Sequence, residues 1–232
     1  EVFNIDYKGG DYLADLSTKE GRQGAIEAVF EKYPDGIDVL ICNAGVGPTA
    51  PPKMIFALNF FASIQLAEGL RPLLKKKRGN CVITSSNSIT NMTVRMDWVD
   101  MLSNVMDEDR ILELADDIPR NQTPSCYSSS KHALARWVRR ISPSWAVDGL
   151  RINSVAPGNT TTPMTQGMTD AQMEAAYNPD TDTLRAQGIP GRPGDRQMEL
   201  CSWHLRWQAA STESFCLLTA ALTPCFVQSR FK

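Results

Sequence analysis

The sequence predicts an α/β fold: a doubly wound parallel sheet within a single domain of 232 residues. Two observations carry that prediction. Short apolar runs such as 37–42 and 80–85 alternate along the chain with longer segments of helical apolar spacing. These runs are apolar throughout instead of at every second position, the habit of parallel strands covered on both faces. An apolar share of 42% with 22% charged residues supplies the core such a sheet needs.

Each element has its own signal. Residues 2–6, Val-Phe-Asn-Ile-Asp, form a short strand that ends on the acid Asp6. Residues 17–33 predict a helix, from the spacing of Ala25, Ile26, Val29 and Phe30 and a Ser17-x-x-Glu20 capping box. Residues 37–42 predict a buried strand closed by the turn Asn43-Ala44-Gly45. A long helix over 54–74 follows, then a strand over 80–85, a helix over 126–145, and a strand over 150–156 stopped by Pro157-Gly158. In open sheets of this kind ligands bind at the carboxyl ends of the strands, and the polar motifs of this chain fall at those ends.

Charge and cysteine content exclude several functions. A formal net charge of -2 gives no electrostatic reason for a nucleic-acid or anionic-membrane partner. The basic run Lys75-Lys76-Lys77-Arg78 reads as a solvated helix C-terminus, where cations complement the macrodipole. Six cysteines lack regular spacing, and Cys42 and Cys81 lie within apolar strands, so they read as small core residues in a reducing, cytoplasmic setting. His132 and His204 have no paired ligand spacing, so no metal is expected. No apolar run reaches membrane-spanning length.

The chemistry concentrates in Tyr127-x-x-x-Lys131. Side chains at i and i+4 share a helix face, so the ammonium of Lys131 can stand near the phenol of Tyr127. A nearby cation favours the phenolate and lowers a value that is ordinarily about 10, which suits proton exchange with an alcohol or carbonyl.

Taken in order along the chain, Asp15-Leu16, Asn43-Ala44-Gly45, Asn59, Ser86, Tyr127-x-x-x-Lys131 and Pro157-Gly158 with Thr160 and Thr162 resemble the short-chain dehydrogenase/reductase family over residues 1–195. The stretch from Ala14 to Arg22, the short link from Asn43 to Asn59 and a long insert before Tyr127 resemble its 3α-hydroxysteroid dehydrogenase/carbonyl reductase branch. The resemblance implies a Rossmann-like fold and a set of roles. Tyr127 is the general acid/base, and Lys131 lowers its pKa and bonds the nicotinamide ribose. Ser86 donates a hydrogen bond to the substrate oxygen; strand register favours it over Ser85 and Ser88. Asn59 either holds a water in a proton relay or is a buried Asn satisfied by backbone. Asp6 accepts from the adenosine ribose hydroxyls and repels a 2′-phosphate, which favours NAD over NADP. Asp15 and Leu16 flank the adenine, Asn43, Ala44 and Gly45 line the cofactor groove, and Pro157, Gly158, Thr160 and Thr162 border the nicotinamide.

Three regions depart from the family's pattern. No Gly-rich strand-turn-helix is present before Glu1, so the expectation is an incomplete sheet in which the strands beside the missing one lack a partner. The insert, 92–121, carries an apolar stripe over 96–118 that fits either a lid over a hydrophobic substrate or a packing and oligomer-contact element. Residues 196–232 lose the family's periodicity, as a shifted frame, a retained intron or a divergent tail would. The function implied is NAD(H)-dependent interconversion of a secondary alcohol and a ketone on an apolar or steroid-like substrate. The alternative is a catalytically silent relative. A homo-oligomer is compatible with either.

Overall fold

The structure, a computed structural model, describes residues 1–104, 107–157 and 215–218. Six parallel strands form one sheet in the order β2-β1-β6-β3-β4-β5. They are β1 (Val2–Asp6), β2 (Tyr12–Leu13), β3 (Val39–Cys42), β4 (Asn80–Thr84), β5 (Arg151–Val155) and β6 (Phe215–Leu218). The fold is Rossmann-like, as expected. The chain moves outward from the β1 position through β2 on one side and from β3 through β4 and β5 on the other. The reversal falls between β1 and β3, where β6 stands.

That placement corrects the expected gap. Val2 to Ile5 pair with Phe215 to Leu218, which pair in turn with Val39 to Cys42, so β1 and β3 are not left with open edges. A parallel strand meets no geometric objection there, because a buried sheet edge must find hydrogen-bond partners somewhere. The sequence signal was weak because a four-residue run, Phe-Cys-Leu-Leu, is too short to carry a period.

The helices α1 (Lys19–Lys32), α3 (Ser63–Lys77) and α7 (Thr123–Val147) share one apolar core with the sheet. Along β3 and β4 successive side chains alternate between faces. Leu40, Cys42, Cys81 and Ile83 join this main core, whereas Val39, Ile41 and Val82 form a second, smaller cluster with Val155. Both faces of these strands are buried, which is why they read as continuous apolar runs.

Local differences have local causes. The helix predicted over 17–33 is capped by Thr18, whose hydroxyl accepts from Gly21 N at 3.0 Å. Ser17 instead donates to Asp15 Oδ1 from both its amide and its hydroxyl, at 2.9 and 2.6 Å, so the Ser17 capping box is not used. The long helix after β3 begins as α2 (Pro52–Met54) and widens into a π-helical stretch, Ile55–Ala62, before continuing as α3. Ile55, Phe56, Phe60 and Phe61 are all fully buried in it, each contributing about 1.5–3 kcal/mol of apolar transfer. After β4 come the short α4 (Ser88–Asn91) and then two helices that carry the apolar stripe of the insert, α5 (Met96–Asn104) and α6 (Glu108–Asp116). The basic end of α3 is a solvated terminus as expected, with Lys75 paired to Asp148 and Lys76 donating to Pro34 O. Among the described residues no helix is long and apolar enough to cross a membrane.

Candidate active site

The carboxyl end of β4 and the first turns of α7 form the centre of the site. Two contacts hold them together: Lys131 Nζ donates to Thr84 O at 2.7 Å, and Ser85 Oγ donates to Lys131 O at 3.0 Å. Within the turn after β4, the amide of Ser88 donates to Ser86 Oγ at 3.1 Å. The Ser86 hydroxyl lies near enough to the Tyr127 phenol to favour its ionised form, so the two expected proton-handling groups face the same space.

The electrostatics differ from the sequence expectation. Burial pushes the Tyr127 phenol above its ordinary value, and the nearby Ser86 hydroxyl opposes that rise. Lys131 does not pull the phenol down here. Its ammonium is only 4% exposed, is turned to the Thr84 carbonyl, and is itself lowered to about 8 by desolvation. Helical spacing brings the two residues to one face, but only the packed structure decides where a long lysine chain points.

Asn59 is completely buried in the π-helical stretch. Its Oδ1 accepts from Val46 N at 2.8 Å and its Nδ2 donates to Val46 O at 3.0 Å. The side-chain amide is thus satisfied by backbone, the second of the two sequence readings, and it fixes the segment that follows Gly45. A π-helical turn places side chains off the ordinary helical register, and such turns cluster at functional sites.

The expected cofactor residues line the same sheet edge. Asp6 is buried at the end of β1, where its Oδ1 accepts from Lys8 N at 3.0 Å. Asp15 is exposed, and Leu16 is 3% exposed within the core. Asn43 is exposed and accepts from Thr84 Oγ1 at 2.9 Å, which links the ends of β3 and β4, and Ala44 behind it is buried. Pro157 accepts from the amide of Asn87 at 3.3 Å. Gly158, Thr160 and Thr162 lie outside the described residues.

Gly45 lets the backbone after β3 approach the buried polar groups closely. A Cβ there would sit 2.9 Å from Asn59 Oδ1 and 3.5 Å from Lys131 Nζ, closer to Asn59 than a side chain allows. A carboxylate at one strand end, a side-chain-free position and a buried cation at the next suit the ribose hydroxyls and nicotinamide half of a dinucleotide.

Several residues that build the site were not singled out from sequence. Thr84 and Ser85 read only as the end of a strand, yet their carbonyl and hydroxyl hold Lys131. Ser128 and Ser129 are fully buried between Tyr127 and Lys131. Ser128 Oγ donates to Thr93 O at 2.7 Å, and Ser129 Oγ accepts from Arg95 N at 2.9 Å. Two hydroxyls inside a helix interior were the available signal, because such residues need a bonding partner when buried.

The insert packs against the core. Val99, Leu102, Ile111 and Ala115 are buried in the main cluster, with Trp98, Met101 and Leu112 against it. Arg140 Nη1 reaches Ser103 O at 2.9 Å from α7, and Arg136 pairs with Asp100. The buried half of its apolar stripe therefore serves packing.

Comparisons with known proteins agree with the fold. Residues 115–203 match the family model described as enoyl-(acyl carrier protein) reductase. The chain is 31% identical over 168 residues to the 3-alpha-hydroxysteroid dehydrogenase/carbonyl reductase of Comamonas testosteroni, covering 72% of this chain and 65% of that one. It is 24% identical to the 7alpha-hydroxysteroid dehydrogenase of Escherichia coli K12, over 89% of this chain and 73% of that protein. A tropinone reductase homolog of Arabidopsis thaliana matches at 24% identity, with the chain spanning 50% of its length. The crystal structure of the 3-alpha-hydroxysteroid dehydrogenase of Pseudomonas sp. B-0831 complexed with NADH superposes with a TM-score of 0.74 at 29% identity, covering 98% of this chain and 89% of that one. With the sheet order, the Tyr127–Ser86 contact and these likenesses together, the chain belongs to the short-chain dehydrogenase/reductase family.

Proposed function

We propose that the protein interconverts a secondary alcohol and a ketone on an apolar, steroid-like substrate with NAD(H) as cofactor. The observation that carries this reading is the convergence of Ser86, Tyr127 and the buried Lys131 at the carboxyl end of β4, where Lys131 Nζ donates to Thr84 O at 2.7 Å. When bound, the cofactor supplies or accepts hydride. The protein's own groups handle the proton. Tyr127, kept protonated at neutral pH by burial, gives its phenolic proton to the substrate oxygen in the reductive direction. Ser86 donates a hydrogen bond to that oxygen, where negative charge develops. Lys131, charged below about pH 8 and anchored on Thr84 O, offers a donor to the nicotinamide ribose. Asn59 holds Val46, and so fixes the backbone beside Gly45.

The preference for NAD rests on Asp6, whose carboxylate suits ribose hydroxyls and opposes a 2′-phosphate. Asp15 and Leu16 take the adenine side, and Asn43, Ala44, Pro157, Gly158, Thr160 and Thr162 the groove and nicotinamide. A reducing, cytoplasmic setting is supported by the buried free thiols of Cys42, Cys81 and Cys126.

One observation favours a second reading, a catalytically silent relative. The strand at the switch point, β6, is followed in sequence by Thr219-Ala220-Ala221, with no glycine to bring backbone amides close to a pyrophosphate. NADH fluorescence separates the two. A saturable enhancement at micromolar cofactor, with turnover abolished and NADH affinity retained in Tyr127→Phe, supports the enzyme. No change at high micromolar NADH supports the silent relative.

A further inference from the structure

A buried guanidinium lies away from Tyr127 and takes no part in the proton chemistry. Arg22, on α1, is 1% exposed and reaches three separate elements. Its Nη1 donates to Leu16 O at 3.1 Å, its Nε to Gln65 Oε1 at 2.8 Å on α3, and its Nη2 to Glu108 Oε1 at 2.6 Å on α6. Gln65 Nε2 closes the ring by donating to Glu108 Oε2 at 2.8 Å. Glu108 is 6% exposed and opens α6, one residue after the capping Asp107. Beside this ring, Gly21 allows the turn before α1 to fold tightly, since a Cβ there would lie 2.0 Å from Asp15 O.

We propose that Arg22 is a positioning residue that joins the insert to the adenine side of the cofactor groove. It holds the Asp15–Leu16 backbone through the Leu16 carbonyl, and is itself held by Glu108 of the insert. The adenine half of this proposal rests on the dinucleotide reading above. The physical logic is the fork. A planar guanidinium can serve three acceptors in fixed directions, which a lysine cannot. A buried charge pair of this kind contributes less to stability than to fixing one arrangement over others. Since Leu16 O, Gln65 and Glu108 belong to three elements, loosening any one acceptor loosens the guanidinium that the others depend on. The insert then affects substrate turnover through the cofactor as well as through its own packing.

The test is Glu108→Gln in the full chain, which keeps the size but sets an amide donor against the Gln65 amide. Arg22→Lys serves as a second variant that keeps the charge and loses the fork. Amide exchange is read at residues 14–18 and 108–116, with β4 as reference. Binding of NADH, ADP-ribose and reduced nicotinamide mononucleotide is measured alongside. Expected is faster exchange in both segments with β4 unchanged, and affinity for NADH and ADP-ribose reduced by roughly tenfold, the loss of one charged hydrogen bond. The mononucleotide, which has no adenine, should bind as in the wild type. Faster exchange in 108–116 alone, or equal weakening of all three ligands, overturns the proposal. Wild-type protein that binds neither NADH nor ADP-ribose removes the dinucleotide reading itself, and the exchange result then upholds or overturns the coupling alone.

Discussion

Replacing Lys131 by Met should change how stability depends on pH more than it changes stability at neutrality. The ammonium is buried, and desolvation lowers it from 10.5 to about 8. Between those values the unfolded chain holds a proton that the folded chain has released, so stability rises with pH across the window. One proton corresponds to a slope approaching 1.36 kcal/mol per pH unit, and integration from pH 7 to 9.5 gives a gain of about 2 kcal/mol for the wild type. The upper limit keeps the experiment below the range in which tyrosines titrate. Lys131→Met lacks this rise. At pH 7 it escapes about 3 kcal/mol of desolvation. It loses the bond to Thr84 O and leaves that carbonyl short of a partner, about 1–3 kcal/mol in the other direction. The net change at pH 7 should therefore stay within about 2 kcal/mol of zero. Urea unfolding at pH 7, 8, 9 and 9.5 measures both quantities. Parallel pH profiles for the two proteins would refute the reasoning, since they would mean that Lys131 titrates in the folded chain as it does in water.

Three further outcomes follow from local geometry. Thr18→Ala should lower stability by about 1 kcal/mol through loss of the α1 cap, whereas Ser17→Ala should change it by a few tenths, as chemical denaturation will read. Gly45→Ala places a methyl 2.9 Å from Asn59 Oδ1, which is buried and held by Val46, so urea unfolding should show a loss of about 1–3 kcal/mol. Cys126 is fully buried and its thiol is pushed up to about 11, so iodoacetamide at pH 8 should label it only as fast as the chain opens, with the rate rising steeply near the urea midpoint.

The strands and helices that read clearly from sequence were those whose environment is uniform along their length. β3 and β4 are buried on both faces, so their apolar runs were unambiguous, and α3 and α7 were long enough for period to show. The site was legible where spacing within one element sufficed, as with Tyr127 and Lys131, or where a strand end located a residue, as with Ser86. It was illegible where the answer depended on two elements meeting. Nothing in the order of residues tells that Lys131 would turn to Thr84 O, or that Thr18 instead of Ser17 would cap α1 because Asp15 had already engaged Ser17. β6 escaped for a different reason: a strand so short is identified by the edges waiting for it, and those edges lie at the far end of the chain. Gly158, Thr160 and Thr162 stand on sequence alone.

The serines between Tyr127 and Lys131 carry a consequence for how much change this chain can accept before that helix. Ser128 and Ser129 grip Thr93 and Arg95 at the root of the insert, and the insert returns to the chain at Thr123, the first residue of the same helix. Both ends of the excursion are thereby fixed next to one another by a helix that stays put. A loop with fixed, adjacent ends can lengthen, shorten or be exchanged for little added closure entropy, which grows only slowly with length. A different segment could be grafted between Arg95 and Thr123 with Tyr127, Ser86 and Lys131 left where they are. The polar residues of α7 thus form a socket for an exchangeable segment.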